Sequence, residues 1–231
     1  MPRTRIKICG LTRPEDVAAA IASGADALGF VFYPASPRYV TPRRAAELMC
    51  GVPPFVQTVG LFVNASVDEV AMAGRIAPLM LLQFHGDETP EHSARLAAAA
   101  NRPFMQVFRV KKDTTAADLL ECERSYRAAS NLFAGLLLDT FVDAYGGAGK
   151  VFDWSLIPKE LAPRVVLSGG LSVNNATEAL LSVRPYAVDI SSGVEASKGI
   201  KDAHKIAAFI TAVRAADAMI ERENSHESPI S

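Results

Sequence analysis

Short apolar runs alternate with helix-like segments along almost the whole chain. The runs lack the in–out alternation of a half-exposed strand, which is typical of strands in a parallel sheet covered on both faces. We predict eight such strands: Ile6–Cys9, Ala27–Phe32, Gln57–Phe62, Met80–His85, Phe104–Val110, Leu132–Asp139, Arg164–Ser168 and Ala187–Ser191. A helix or long crossover follows each one. This pattern predicts an α/β protein with a single-domain (β/α)8 (TIM) barrel, and 231 residues suit that fold.

The segments between the runs carry helix start signals. Thr12–Glu15 and Ser66–Glu69 have the spacing of a capping box, while Thr41 and Thr89 each place a hydroxyl before a proline. The last helix has apolar residues spaced by three and four: Ile206, Phe209, Ile210 and Val213. The glycine-rich stretch Tyr145–Lys150 predicts a loop instead. A doubly wound open sheet remains the alternative fold, and both folds place function at the carboxyl ends of the strands.

Composition limits the classes of partner and compartment. The 24 basic and 25 acidic side chains give a net charge of −1, so neither nucleic acid nor a membrane surface is expected as a partner. No apolar window reaches the ~18 residues of a membrane span or forms a signal peptide. The three cysteines are far apart in sequence, which favours a reducing, cytoplasmic location. We expect the barrel to occupy residues 1–220 and a disordered polar tail to occupy residues 221–231, in a monomer or homodimer.

Glycines and serines follow the seventh and eighth predicted strands. These two loops of a barrel commonly hold a phosphate with backbone amides, and glycine lets the backbone approach the anion. The candidate phosphate-binding residues are Gly169, Gly170, Ser191, Ser192 and Gly193. Ordinary turn glycines are the alternative interpretation.

Two groups capable of proton transfer end other strands. Cys9 ends the first strand and precedes Gly10, so its thiol could be deprotonated with the help of loop amides or a cation. Lys7 lies two residues earlier on the same face, either as that cation or as half of an ion pair. Asp139 ends the sixth strand after an apolar run, which favours the uncharged acid. A base and an acid on opposite sides of a ligand suit proton transfer at carbon and oxygen; a buried apolar cysteine and a loop-capping carboxylate are the alternatives.

Two further residues are candidates for substrate binding. Arg38 lies in the loop after the second strand, where it could clamp a carboxylate or simply be solvated. His85 ends the fourth strand and could line the site or cap the turn. The histidines lack the spacing of metal ligands, so we predict no metal, and nothing calls for a cofactor.

Eight stretches of the chain resemble the phosphoribosylanthranilate isomerase family, the Amadori isomerases of tryptophan biosynthesis. They fall in order along nearly the whole sequence, and their combination is highly specific. The matching stretches are Lys7–Thr12, Phe32–Val40, Gly60–Asn64, Leu82–Glu88, Leu138–Asp139, Gly146–Trp154, Leu167–Leu171 and Asp189–Glu195. One departure is visible, since Ala148 stands where the family commonly has threonine in a glycine-rich loop.

The resemblance implies a reaction and roles for these residues. The reaction is the rearrangement of N-(5-phospho-β-D-ribosyl)anthranilate to 1-(2-carboxyphenylamino)-1-deoxy-D-ribulose 5-phosphate. Asp139 would be the general acid and Cys9 the general base, without a cofactor. Arg38 would bind the anthranilate carboxylate, and His85 and Asp189 would lie near the sugar. The related histidine-pathway isomerase is the first rival, although it resembles this chain less because it has a carboxylate at the position of Cys9; a phosphate-binding barrel without catalysis is the second.

Overall fold

Eight parallel strands close into a barrel in the computed structural model, which describes residues 3–140 and 151–226. The strands are β1 (Arg5–Cys9), β2 (Ala27–Val31), β3 (Gln57–Phe62), β4 (Leu81–Phe84), β5 (Phe104–Val110), β6 (Phe133–Thr140), β7 (Val166–Leu167) and β8 (Ala187–Ile190). They pair in chain order, and β1 pairs with β8 to close the ring. The predicted TIM barrel is therefore confirmed, and the doubly wound sheet is excluded.

Seven α-helices accompany the strands within the described ranges. They are α1 (Pro14–Ser23), α2 (Pro42–Met49), α3 (Val67–Ile76), α4 (Pro90–Ala100), α5 (Ala116–Ala129), α6 (Ala176–Val183) and α7 (Ala203–His226). Between β6 and β7 the structure has two 3-10 turns, Trp154–Leu156 and Ala162–Arg164. The predicted loop at Tyr145–Lys150 lies outside the described residues. None of the described helices is long and apolar enough to span a bilayer.

A small hairpin adds to the barrel after β8. A 3-10 turn at Ser192–Val194 leads into β9 (Glu195–Ser197), which pairs antiparallel with β10 (Ile200–Lys201). The hairpin precedes α7 and brings Glu195 and Lys201 to the rim of the barrel. The sequence did not predict these two short strands.

Three of the four predicted helix caps are present. Ser66 and Glu69 form a capping box, and the hydroxyls of Thr41 and Thr89 accept hydrogen bonds from amides in the first turns of their helices. The box predicted at Thr12 is wrong, because α1 begins one residue later, with Arg13 as its cap. The Thr12 hydroxyl instead donates to the carbonyl of Gly199 in the hairpin, at 2.8 Å.

The seventh strand is shorter than predicted because its neighbours take other conformations. Arg164 belongs to a 3-10 turn that contains Pro163, and after Ser168 the chain turns at Gly169, which has φ +82°. Only two residues remain in the strand. The turn after β7 nevertheless enters the carboxyl end of the barrel at the predicted point.

The last helix packs between α6 and α1 on the outside of the barrel and runs further than predicted. Its residues Ile206, Phe209, Ile210 and Val213 are all buried, as their spacing predicts. Beyond them the helix continues to His226, so the predicted disordered tail is wrong for residues 221–226. Arg184 at the end of α6 holds this turn, donating to Glu223 at 2.7 Å and to Asn224 at 3.2 Å.

Candidate active site

A cavity at the carboxyl end of the barrel collects nine of the ten predicted site residues. They arrive from β1, β6 and β8 and from the loops after β2, β4, β7 and β8. Those that line the cavity are Cys9, Arg38, His85, Asp139, Gly169, Gly170, Asp189, Ser191 and Ser192. Gly193 does not line the cavity. An ideal Cβ atom on Gly193 would lie 2.1 Å from the carbonyl oxygen of Leu171, so this side of the residue faces the backbone of the neighbouring loop.

Lys7 and Asp189 form a buried ion pair beneath the cavity. The two residues are register partners on β1 and β8, and Nζ of Lys7 lies 2.8 Å from Oδ1 of Asp189. The other oxygen of Asp189 accepts a hydrogen bond from the hydroxyl of Ser168 at 3.3 Å. Burial alone would lower the pKa of Lys7, but the carboxylate raises it above its ordinary value. The ion-pair interpretation of Lys7 is therefore confirmed.

The thiol of Cys9 is buried at the top of β1, with 4% of the residue exposed. Burial raises the pKa of this thiol, while the positive charges of Lys7 and Lys201 lower it and the negative charge of Asp189 raises it. The net direction is upward. The expected assistance from a cation is present, but here it only partly offsets the cost of burying a thiolate.

A second charged cluster joins the loop after β2 to the hairpin. The guanidinium of Arg38 donates to both oxygens of Glu195, from Nε at 2.7 Å and from Nη2 at 2.9 Å. Lys201 lies 3.0 Å from the same carboxylate and also donates to the carbonyl of Ser191 at 3.0 Å. The Ser191 hydroxyl in turn donates to the carbonyl of Cys9 at 3.0 Å. Arg38 is therefore held in place and not simply solvated.

Glu195 and Lys201 are the functional candidates that the sequence reasoning missed. Glu195 ends one of the stretches that carry the family resemblance, which was the available signal. Lys201 lies outside those stretches in a short hairpin, and only the fold brings it beside Glu195.

His85 links Gln83 to Asp139 on the opposite side of the cavity. Nε2 of His85 lies 3.2 Å from Oδ2 of Asp139, and Nδ1 lies 3.2 Å from Nε2 of Gln83. With Gln83 donating to Nδ1, the imidazole carries its proton on Nε2 and donates to an Asp139 carboxylate. The reverse orientation of the Gln83 amide places the imidazole proton on Nδ1 and lets Nε2 accept from a protonated Asp139. The pair therefore has a position for the proton on either residue.

One polar atom of Gln83 has no hydrogen-bond partner in this arrangement. Its Oε1 is buried without a hydrogen-bond partner among the residues that the structure describes. Gln83 lies on β4 and His85 directly follows that strand, two residues later, and both side chains line the cavity. That spacing could have signalled Gln83 as a member of the site.

The loops after β7 and β8 present backbone groups to the cavity. Gly169 and Gly170 both have left-handed φ angles, +82° and +67°, which glycine adopts without strain. The side-chain amide of Asn175 donates to the carbonyl of Gly170 at 3.0 Å and fixes this turn. Ser192 begins a 3-10 turn, whose first amides have no partner within the turn. This combination of glycine turns and turn amides is suited to an anion.

The other two cysteines lie outside the cavity. Cys50 is exposed at the end of α2. Cys122 is half-buried on α5, where burial raises the pKa of its thiol to about 11. Within residues 3–140 and 151–226 no group of three His, Cys, Asp or Glu side chains is arranged to hold a metal ion.

Comparison with known proteins gives a consistent result along the chain. The family model described as N-(5'phosphoribosyl)anthranilate (PRA) isomerase matches residues 6–212. A protein of Herminiimonas arsenicoxydans named N-(5'-phosphoribosyl)anthranilate isomerase is 66% identical over 219 residues, which covers 95% of this chain and 96% of the relative.

Solved structures agree with the sequence comparison. Phosphoribosyl anthranilate isomerase from Thermotoga maritima superposes with a TM-score of 0.80 at 40% identity, covering 92% of this chain and 99% of that one. A second structure, at 38% identity and a TM-score of 0.77, covers the same shares and is a phosphoribosyl anthranilate isomerase in complex with reduced 1-(o-carboxyphenylamino)-1-deoxyribulose 5-phosphate.

Proposed function

This chain belongs to the N-(5'-phosphoribosyl)anthranilate isomerase family of tryptophan biosynthesis, and from that membership we propose its reaction and the residues that perform it. The reaction is the conversion of N-(5-phospho-β-D-ribosyl)anthranilate to 1-(2-carboxyphenylamino)-1-deoxy-D-ribulose 5-phosphate. The observation that carries the proposal is that Cys9 on β1 and Asp139 on β6 face one cavity from opposite sides of the barrel.

The acid and the base act in sequence. Asp139 protonates the furanose ring oxygen, the bond from that oxygen to C1′ breaks, and the anilinic nitrogen supplies electrons to form a protonated Schiff base. The Schiff base acidifies the proton on C2′, which Cys9 removes as a thiolate. The resulting enolamine loses its hydroxyl proton and gains one at C1′, which gives the aminoketose. Atoms and electrons balance without a cofactor.

Arg38 and Lys201 bring positive charge to the side of the cavity formed by the loop after β2 and the hairpin, where both contact the Glu195 carboxylate. Arg38 uses Nε and Nη2 on Glu195, and its remaining N–H groups form the fork that binds the anthranilate carboxylate. Because Glu195 fixes the guanidinium, less side-chain entropy is lost on binding.

The phosphate binds at the two adjacent loops after β7 and β8. Backbone amides near Gly169, Gly170, Ser191 and Ser192 supply the donors, and the Ser192 hydroxyl completes the site, since the Ser191 hydroxyl already donates to the Cys9 carbonyl. Gly193 contributes through its backbone, since its Cα packs against Leu171. His85 shares the proton of Asp139, and Asp189 acts below the sugar with both carboxylate oxygens already engaged.

The test follows the decay of anthranilate fluorescence when purified protein meets freshly generated phosphoribosylanthranilate. Wild type is expected to give fast decay with the aminoketose as product. Cys9→Ala and Asp139→Asn should each lose roughly 10²–10⁴-fold in rate, the range typical of acid–base groups. Cys50→Ala and Asp113→Asn change the same residue types at exposed positions and should retain the wild-type rate.

The outcomes separate the parts of the proposal. A wild-type rate no faster than spontaneous hydrolysis removes the substrate assignment. A near-normal rate in Cys9→Ala or Asp139→Asn removes that residue from the mechanism. Turnover confined to the histidine-pathway aminoaldose phosphate would transfer the chain to the first rival, and binding without turnover of either substrate would favour the second.

A further inference from the structure

The base of the proposed reaction is a thiol in an environment that disfavours its anion. Cys9 is 4% exposed, and a buried thiolate loses most of its hydration. The proposed mechanism nevertheless needs the sulfur as an anion when substrate binds. Some fixed group close to the sulfur must therefore stabilise the negative charge.

Lys7 is the cation placed to do so. It lies two residues before Cys9 on β1, so both side chains are on the same face of the strand. Lys7 is itself 4% exposed, and its positive charge interacts with the Asp189 carboxylate and with the Cys9 sulfur. An ideal Cβ on Gly29 of the adjacent strand β2 would stand 2.8 Å from Sγ of Cys9 and 3.0 Å from Nζ of Lys7. The sulfur and the ammonium are therefore less than about 6 Å apart, a separation at which charges shift protonation equilibria strongly.

The geometry points to Lys7 as a positioning residue of the proposed reaction: its ammonium, which pairs with the Asp189 carboxylate close to the Cys9 sulfur, favours the thiolate form of that sulfur, which removes the C2′ proton. This inference rests on the proposed function. Lys7 itself does not touch the reacting atoms in this scheme. Its role is to favour one protonation state of the residue that does.

The charged groups that face Cys9 balance when the sulfur is ionised. Lys7 on β1 and Lys201 on β10 act on it with positive charge, and Asp189 on β8 acts with negative charge. Beyond Lys201 lie Glu195 and Arg38, so the connected groups hold three cations and two carboxylates. A thiolate at Cys9 supplies the third anion, and the buried cluster becomes neutral.

Gly29 indicates that the approach of the ammonium to the sulfur is more than a by-product of the ion pair. Lys7 needs only Asp189 for its charge to be satisfied, and buried pairs of this kind add little stability by themselves. The space beside Gly29 holds both Sγ and Nζ, and an alanine there would press on both atoms at 3.0 Å or less. The neighbouring strand thus leaves room for ammonium and sulfur together.

The experiment measures the protonation of Cys9 directly, without turnover. In a Cys50→Ala/Cys122→Ala background Cys9 is the remaining cysteine, and the ultraviolet absorbance of its thiolate is titrated against pH, with Cys9→Ala as the blank. Lys7→Met is expected to raise the titration midpoint by about one pH unit or more. Asp189→Asn frees the ammonium from its carboxylate and should lower the midpoint. Lys159→Met, at an exposed position, should leave it unchanged.

Opposite signs in the two variants are the decisive readout. A merely structural pair predicts that losing either partner perturbs the site in the same direction, or leaves the midpoint where it was. Because Lys7→Met leaves a buried carboxylate unpaired and could unfold the chain, two further variants accompany it. Lys7→Arg keeps the cation and should keep the midpoint near wild type. Lys7→Met/Asp189→Asn leaves the net charge of the site unchanged and should still show a raised midpoint, since Lys7 acts on the thiol more strongly than Asp189 does.

Enzyme kinetics separate this inference from the proposed function. If the chain isomerises phosphoribosylanthranilate, the acid limb of kcat/KM should move with the thiol midpoint in each variant, with little change in KM. An unchanged midpoint in folded Lys7→Met and in the double variant overturns the role of Lys7 whatever the activity. A shifted midpoint in an inactive wild-type background overturns the proposed function alone, since the ammonium then still sets the protonation of the sulfur.

Discussion

Glu195 stands between the buried ammonium of Lys201 and the half-buried guanidinium of Arg38, and replacing it by glutamine should be among the most damaging single changes outside the core. The carboxylate is 9% exposed and is contacted by Arg38 at 2.7 and 2.9 Å and by Lys201 at 3.0 Å. Glutamine keeps the shape of the side chain but removes its charge. Arg38 and Lys201 then face each other as like charges with little access to water.

The expected cost follows from that geometry. Removing one member of a buried, hydrogen-bonded ion pair typically costs about 3–5 kcal/mol, because the remaining charge is buried without compensation. For a chain of this length 1 kcal/mol corresponds to roughly 2–4 °C in Tm, so Glu195→Gln should lower Tm by roughly 6–20 °C. The rim of the cavity should loosen as well, since Arg38 loses its anchor.

The pH dependence of the unfolding free energy gives an independent test of the role of Glu195. Burial raises the pKa of Glu195, but the hydrogen bond from Arg38 and the charge of Lys201 outweigh it, so the pKa lies below its ordinary value. The stabilisation from this carboxylate is therefore complete above the pKa of an unfolded glutamate and is lost as the pH falls through the lower folded value. The difference in unfolding free energy between wild type and Glu195→Gln should shrink in acid.

Urea denaturation of wild type and Glu195→Gln at neutral and acid pH measures both effects. Glu160→Gln, the same substitution at an exposed position, should change the unfolding free energy by less than about 0.5 kcal/mol. Adding Lys201→Met to Glu195→Gln removes one of the stranded cations and should recover part of the loss. A neutral-pH cost below about 1 kcal/mol, or a cost equal to that of Glu160→Gln, would refute the reasoning.

Two further measurements test the phosphate loop and the base of the barrel. Gly193→Ala places a methyl group 2.1 Å from the Leu171 carbonyl oxygen and should shift the turn at Ser192. We expect KM to rise by a larger factor than kcat falls. The control is Gly74→Ala, whose new methyl group meets only Ala100 at 3.3 Å and should leave both constants unchanged. An unaltered KM in Gly193→Ala would separate this turn from the phosphate. Burial raises the pKa of Asp26, but hydrogen bonds from Arg3 and the Ile6 amide lower it overall. Asp26→Asn should therefore cost more unfolding free energy at pH 7 than near the ordinary pKa of 3.8, by urea denaturation, and a cost independent of pH would contradict that assignment.

The fold could be read from the sequence because its main signal is local. Each strand is an apolar run of a few residues, and each is separated from the next by a segment with its own start signal. The failures involve contacts between residues far apart in sequence: the Thr12 hydroxyl donates to Gly199 in the hairpin instead of capping α1, and Arg184 donates to Glu223 near the end of α7. Where a helix begins or ends then depends on a partner far away in the chain, and the sequence pattern does not identify that partner.

The residues of the candidate site also fall into two groups, those that the sequence predicted and those that it did not. Cys9, Asp139 and the glycine loops were found because each ends a strand, and a closed barrel brings strand ends together. Glu195 and Lys201 were missed because their importance lies in a shared contact across a hairpin of five assigned strand residues. The roles assigned to all these residues, the cytoplasmic location and the monomer-or-homodimer state remain predictions.

The pairing of β1 with β8, which closes the barrel, determines when the cavity can form during synthesis. Lys7 and Asp189 are separated by 182 residues, and the contact of Arg38 with Glu195 spans 157. A nascent chain therefore carries its thiol and two of its buried cations long before their counter-ions leave the ribosome. Ring closure, the neutralisation of those charges and the completion of the cavity become one late event. Fragments that stop short of the eighth strand lack Asp189, Glu195 and Lys201, so in them neither Lys7 nor Arg38 has the counter-ion that it has in the closed barrel.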